Sequence, residues 1–260
     1  MKTKLVILGL VVLVIGLLLT VGTSTAAYGA NEKVKAKPAT KSPPLGDDLE
    51  RIDFIHYKKP KDKAAKPSGP AKPPKTPTCY RLLGVKWQTL PLAYVVNPTI
   101  PPANNPQGMN AVAICQAIAD SAGTWDAATG AGLFVGYQVD YTVNWGQQDF
   151  RNVMAFGNYP QADVIAVTSI WYTRRGKQIV EFDILFDTDY TWGNADETIG
   201  PVMDLQNIAT HEIGHGLGLD DVYLSECSAV TMYGYSDYGD IQKRDLDQPD
   251  ITAIQKLYGP

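Results

Sequence analysis

Four runs of aromatic and β-branched residues, separated by turn-forming residues, have the pattern of β-strands. They predict strands over residues 86–97, 134–143, 164–172 and 179–186. The first run stops at a proline, and a charged turn at residues 173–177 separates the last two. We expect these strands to form one sheet.

Two further segments carry the pattern of helices. Residues 111–125 place six residues along one helical face. These are Val112, Cys115, Ile118, Ala119, Ala122 and Trp125. A second helix should begin after Asp204, whose carboxylate can cap it, and should end near Gly218. Helices that cover a mixed, mostly parallel twisted sheet predict an α+β fold.

The first 30 residues have a different pattern. Lys2 and Lys4 precede an apolar run at residues 5–19, and small residues follow. This order is typical of a secretory signal peptide, so the protein is expected to be secreted. Since the apolar run nearly reaches bilayer length, an uncleaved anchor at the cell surface is the alternative.

Residues 31–78 are rich in lysine and proline, with eleven lysines and nine prolines. Such a composition cannot bury a core, so we expect a largely disordered pro-region or linker. Residues 47–57 are the exception, since their apolar side chains could form a short amphipathic turn or helix that docks as a pro-segment. A lone histidine in this stretch, His56, is expected to be solvated and not to block a metal.

Residues 79–260 are acidic, with nine Lys and Arg against twenty-one Asp and Glu, a formal charge near −12. Such a surface repels nucleic acid and anionic membranes but suits calcium and cationic substrates. The charge could equally serve only to keep a secreted protein soluble. We expect residues 79–260 to be one catalytic domain that acts as a monomer.

The chain has three cysteines, Cys79, Cys115 and Cys227. Export makes one disulfide plausible and leaves one thiol over. The sequence does not tell which two of them pair.

Two of the three histidines of the chain stand four residues apart in the segment His211-Glu212-Ile213-Gly214-His215. On a helix, both imidazoles project from one face and can bind one metal ion. Zinc needs a third protein ligand if a fourth position is to hold water. The chain can reverse at Gly218 and return Asp220 or Asp221, and by register we choose Asp221.

The segment His-Glu-x-x-His-x-x-Gly-x-x-Asp at residues 211–221 resembles the zinc signature of the metzincins, with Asp in place of the usual third histidine, as in snapalysin-like peptidases. Thr231 to Tyr235 is similar to the Met-turn of that clan, with Met232 beneath the zinc. Residues 84–98, 179–193 and 249–259 resemble the opening strand, the cleft strand and the closing helix of the matrixins. The resemblance implies a matrixin-like zincin fold.

Two departures from the matrixin pattern affect the expected metals and latency. No Pro-Arg-Cys-Gly segment precedes the domain, and the histidine-rich loop that binds structural zinc has no counterpart. Several acids around residues 183–197 could still supply oxygen ligands to calcium, first among them Asp183, Asp187 and Asp189.

The sequence therefore predicts a secreted zinc metalloendopeptidase that acts on peptides or proteins. A peptide would pair with the strand at residues 179–186, and Glu212 would take a proton from zinc-bound water. A silent zinc-binding scaffold and a zinc hydrolase of a non-peptide cell-envelope substrate are the alternatives.

Overall fold

The computed structural model describes residues 48–60, 78–197 and 200–260. The predicted signal peptide at residues 1–30 lies outside these ranges. Among the residues described, no helix is long and apolar enough to cross a membrane.

A seven-stranded mixed sheet forms one layer of the fold, with the strand order β11-β1-β6-β7-β5-β3-β4. Its strands are β1 (Leu49–Lys58), β3 (Leu92–Asn97), β4 (Phe134–Val139), β5 (Asn152–Gly157), β6 (Val164–Thr173), β7 (Ile179–Asp187) and β11 (Tyr235–Ser236). Strands β4, β3, β5 and β7 run parallel to one another, and β6 is antiparallel to β7. Two small ladders pair β2 (Arg81–Leu82) with β10 (Leu219–Asp220), and β8 (Trp192–Gly193) with β9 (Met203–Asp204).

In the described part of the chain, three α-helices accompany the sheet: α1 (Ala111–Asp126), α2 (Leu205–Gly216) and α3 (Gln248–Tyr258). Asn110 caps α1 and Asp204 caps α2, because each side chain accepts a hydrogen bond from a backbone amide of the first turn. The indole of Trp125 donates to the carbonyl of Thr210 at 2.7 Å and so joins α1 to α2. Val112 was assigned to the buried face of α1 in error, since its side chain is exposed at the first turn.

The predicted strands exist, although two are shorter than the patterns indicated. In place of the strand expected at residues 86–97, only Leu92–Asn97 is continuous, and the Leu90–Pro91 peptide bond before it is cis. Strand β5 was not predicted. This strand has only six residues, ends at Gly157 and follows a loop without a clear alternation of apolar and polar residues.

Strand β7, which the sequence predicts as the partner of a peptide, lies inside the sheet and not at its edge. Strand β7 pairs with β6 from Ile179 to Phe186 and with β5 from Asp183 to Asp187, so a peptide cannot pair along residues 179–186 and that prediction is wrong. The free side of β6 would form the sheet edge if β1 did not cover it.

In the described part of residues 47–57, which begins at residue 48, the helix considered for this segment is not formed. Residues 49–58 are the strand β1, which pairs antiparallel with β6 from Leu49 opposite Thr173 to Tyr57 opposite Val164. Its far side pairs in parallel with β11. The neighbouring strand edge supplies partners for its backbone, so this exception to the predicted disorder of residues 31–78 is ordered as a strand and not as a helix.

The cysteine pairing left open by the sequence is between Cys79 and Cys227. The third thiol, Cys115, is free and buried on α1, and burial raises its pKa to about 11. The disulfide joins the segment before β2 to the segment that follows α2 and β10.

Candidate metal centre and active site

Helix α2 presents His211 and His215 on one face, as their four-residue spacing predicts. Both rings are buried, and their Nε2 atoms lie 3.2 Å apart. The Nδ1 of His211 donates to the carbonyl of Thr231 at 2.7 Å, and that of His215 donates to the carbonyl of Leu219 at 2.9 Å. Since Nδ1 carries the hydrogen in each neutral ring, both Nε2 atoms present lone pairs to the same space.

The chain reverses direction after α2 and returns an aspartate to these rings. Gly218 has φ of +103°, and a Cβ there would lie 2.5 Å from the carbonyl oxygen of Val85, so only glycine fits. After this turn, Oδ1 of Asp221 lies 3.3 Å from Nε2 of His211 and 3.5 Å from Nε2 of His215. Asp220 points elsewhere and forms an ion pair with Arg81 at 2.8 Å.

The hydroxyl of Tyr223 fixes the orientation of Asp221, because it donates to Oδ2 at 2.8 Å. The other oxygen, Oδ1, is buried without a hydrogen-bond donor in the described part of the chain. Three acceptor atoms thus converge with no hydrogen between them, an arrangement that is costly unless a cation sits among them. Two imidazole nitrogens and one carboxylate oxygen suit zinc.

The protonation states of His211 and Asp221 also suit a metal, whereas burial lowers the pKa of His215 and the neighbouring carboxylate of Asp221 raises it, with a net rise. Burial lowers the pKa of His211 to about 3, so that ring is neutral at physiological pH. Burial alone would raise the pKa of Asp221, but the imidazoles of His215 and His211 hold it well below its usual range. A neutral imidazole and an ionised carboxylate are the forms that bind zinc.

Glu212 lies beside the three acceptors and is fully buried. The hydroxyl of Thr168 donates to its Oε2 at 2.5 Å, and Nδ1 of His56 donates to its Oε1 at 2.9 Å. Burial raises the pKa of Glu212 to about 7. A carboxylate with a pKa near the working pH is suited to accept and return a proton.

Met232 is buried and packs against α2 at Gly214. A Cβ on residue 214 would lie 2.4 Å from Sδ of Met232, so the close contact depends on this glycine. The carboxylate of Asp250 accepts the backbone amides of Thr231 at 2.9 Å and Met232 at 3.3 Å. It thereby holds the turn whose Thr231 carbonyl orients His211.

His56 is the clearest departure from the sequence-based expectation. It is not solvated but 1% exposed, and its ring centroid lies 4.0 Å from that of His211. Phe54, two residues earlier on β1, stacks on His215 with 4.3 Å between ring centroids. Pairing of β1 with β6 carries both side chains to the metal centre.

Lys243 was also not foreseen. Its side chain is fully buried, and Nζ donates to the carbonyl of Tyr233 and lies 3.2 Å from Nε2 of His56. Burial lowers the pKa of Lys243 to about 7. The sequence gives no signal for it, because the chain brings Lys243 to the site from a turn that follows the Met-turn.

The candidate calcium residues do not lie together. Asp183 is buried in the middle of β7 and accepts the backbone amides of Gly146 at 2.7 Å and Val153 at 3.0 Å. Asp187 and Asp189 lie at the end of β7, where Oδ1 of Asp187 accepts the amide of Asp189. The other oxygen of Asp187 is buried without a hydrogen-bond partner among the described residues.

A comparison with known protein families matches residues 86–259, more than half of the chain, to the matrixins. The chain belongs to the matrixin family. Matrixins are zinc metalloendopeptidases, and this membership confirms the predicted family and the α+β metzincin fold.

Curated relatives of this matrixin align over a shorter stretch. Human matrilysin is 42% identical over 77 residues, which are 30% of this chain and 27% of the relative. Interstitial collagenase A of Mus musculus is 37% identical over 78 residues, or 30% of this chain and 15% of the relative. Stromelysin-1 of Rattus norvegicus is 36% identical over 78 residues, again 30% of this chain and 15% of the relative. The chain thus aligns with 15–27% of the length of each of these relatives.

Proposed function

We propose that this matrixin is a secreted zinc-dependent endopeptidase in which His211, His215 and Asp221 hold the zinc and Glu212 is the general base. The convergence of three acceptor atoms that lack donors, with a buried carboxylate beside them, carries the proposal. When bound, zinc supplies Lewis-acid polarisation of the scissile carbonyl and of a water molecule.

Glu212 accepts the proton of the attacking water and later delivers it to the leaving amine. Thr168 holds one carboxylate oxygen, so the proton is taken up on the other, which now faces His56. Burial keeps competing water away from this oxygen, which strengthens its interaction with the reacting groups.

A substrate peptide lies extended along the edge of β6, in the place that β1 now takes. Backbone pairing with a sheet edge binds a peptide independently of its sequence, and side chains of alternate residues then enter pockets. The wall of one pocket is formed by residues 222–238, where β11 borders the groove.

Secretion rests on the pattern of residues 1–30, and the disulfide between Cys79 and Cys227 is consistent with an oxidising compartment. We retain residues 31–78 as a pro-region and residues 79–260 as the catalytic domain. Calcium remains a proposal, centred on Asp187 and Asp189, because a buried oxygen of Asp187 lacks a described partner.

The test is zinc content and casein cleavage by the full chain, before and after limited tryptic digestion, with Glu212→Ala and Asp120→Ala in parallel. Asp120 is an exposed acid on α1, outside the metal centre and the pocket wall, so its variant should keep both properties. Glu212→Ala should bind one zinc and cut nothing. A zinc-loaded wild-type chain that leaves casein and a broad peptide library uncut in both states would identify a silent scaffold.

A further inference from the structure

Strand β1 lies in a groove that is one strand wide. It is antiparallel to β6 on one side and parallel to β11 on the other, with backbone pairs to both. Neighbouring strands are about 4.8 Å apart, so β6 and β11 are separated by roughly 10 Å without β1. Such a gap admits one extended peptide and no more.

The matrixin match begins at residue 86, after β1 has ended at Lys58. Strand β1 is therefore an addition to the part of the chain that the family shares. Because β1 and a substrate need the same edge of β6, they exclude each other.

A side chain of β1 also contacts the polar groups of the site. Nδ1 of His56 donates to Glu212, and Nε2 of the same ring faces Nζ of Lys243 at 3.2 Å. A neutral imidazole offers one donor and one acceptor on opposite sides of its ring. His56 thus satisfies a carboxylate and an amine together and leaves the base without a free oxygen.

The opposite face of β1 is held as well. Ile55 packs on the cluster formed by Val164, Val167 and Leu185. Arg51 lies over the rings of Trp145 and Trp171, with 5.2 and 5.0 Å from Cζ to the ring centroids. These contacts hold the whole strand in the groove rather than one residue.

From this arrangement we propose that residues 49–58 are an inhibitor in cis, which binds the groove as a substrate peptide would and covers Glu212 with the imidazole of His56. The proposal rests on the proposed endopeptidase function. It implies that the zinc-loaded chain is latent until β1 leaves the edge of β6.

The experiment measures access to the groove separately from catalysis. The full chain, loaded with zinc, is titrated with a fluorescent peptide hydroxamate, and polarisation gives its Kd. The double variant Phe54→Ala/His56→Ala is compared with wild type and with Lys59→Ala. Lys59 is exposed next to β1, and its backbone amide, which donates to Ser236, is unaffected by the change.

The double variant should bind the probe at least about tenfold more tightly, since apparent affinity falls with the fraction of molecules whose site is open. Lys59→Ala should match wild type. A synthetic peptide of residues 48–59 should compete with the probe, and the same peptide with alanine at 54 and 56 should not. Equal Kd values for all three proteins would overturn the proposal.

A second variant guards against loss of folding. Ile55→Asp loosens β1 from its outer face without touching the metal centre, and it should also tighten probe binding. If neither this variant nor the double variant folds, β1 is a permanent strand of the domain and the proposal is wrong. If the double variant binds the probe but cuts no peptide, the inhibitor role stands and the endopeptidase function fails.

Discussion

His56 and Glu212 are 156 residues apart in the sequence, yet Nδ1 of the imidazole donates to Oε1 of the carboxylate at 2.9 Å. Thr168 donates to the other oxygen at 2.5 Å. Both oxygens of the proposed base are therefore held, one by the domain and one by β1. When β1 leaves, only the bond from Thr168 orients the carboxylate.

Thr168→Val should lower kcat at an unchanged zinc content, by about 10- to 100-fold, because Glu212 loses the donor that fixes its rotamer in a buried site. Thr168→Ser keeps the hydroxyl and should restore most of the activity. Steady-state kinetics on one fluorogenic peptide, with zinc measured in the same samples, gives both quantities. A Val variant as active as the Ser variant would remove Thr168 from the mechanism.

Tyr223→Phe should weaken zinc binding by about tenfold, since the outer partner of a metal-binding carboxylate sets its orientation. The hydroxyl donates to Oδ2 of Asp221 at 2.8 Å, while Oδ1 faces the imidazoles. Competition with a chromogenic chelator measures the affinity. Tyr141→Phe, at an exposed tyrosine, is the control and should bind zinc as wild type does.

Gly214→Ala should lower the free energy of unfolding by about 1–3 kcal/mol through overpacking. The new Cβ would lie 2.4 Å from Sδ of Met232 and 2.8 Å from Cζ2 of Trp125. Gly123→Ala on α1 meets nothing within 4 Å and should stabilise by about 0.5–1 kcal/mol. Urea unfolding of both variants checks the contrast, which fails if they shift in the same direction.

The stability of the protein should depend on pH through Asp183. Burial raises the pKa of this carboxyl to about 7 from its ordinary value of 3.8. Because the folded state then binds the proton more tightly than the unfolded state, the contribution is present below about pH 4 and is lost as pH rises through about 7. Asp183→Asn cannot titrate.

The measurable quantity is the difference in unfolding free energy between wild type and Asp183→Asn at pH 4, 5.5 and 7. Wild type should lose stability relative to the variant as the pH rises across this window. A difference that stays constant with pH, or that changes in the opposite direction, would show that burial does not raise the pKa of Asp183.

The sequence predicted the parts of the site that follow from spacing within one segment. His211 and His215 share a helical face because four residues make about one turn. A glycine at position 218 permits the positive φ with which the chain turns after the helix. Residues brought in by tertiary structure had no such signal. Thr168 acts from a buried strand, Tyr223 from a loop, and Lys243 from a turn far along the chain.

Strand β1 shows the same limit for secondary structure. Its apolar residues are compatible with a short helix, and what decides for a strand is the open edge of β6, more than 100 residues later in the chain. The pairing of Cys79 with Cys227 likewise depends on where the segment after α2 returns. Neither can be read from local composition, because the deciding partner is distant in sequence.

The most direct test of the metal centre is zinc K-edge X-ray absorption of the zinc-loaded full chain, with Asp221→Asn and Asp220→Asn beside it. The account predicts one zinc bound by two imidazole nitrogens at about 2.0 Å and by one carboxylate oxygen. The carboxylate ligand should be lost in Asp221→Asn, and the spectrum of Asp220→Asn should match that of wild type. A wild-type chain that takes up no stoichiometric zinc, or a spectrum unaffected by Asp221→Asn, would contradict it.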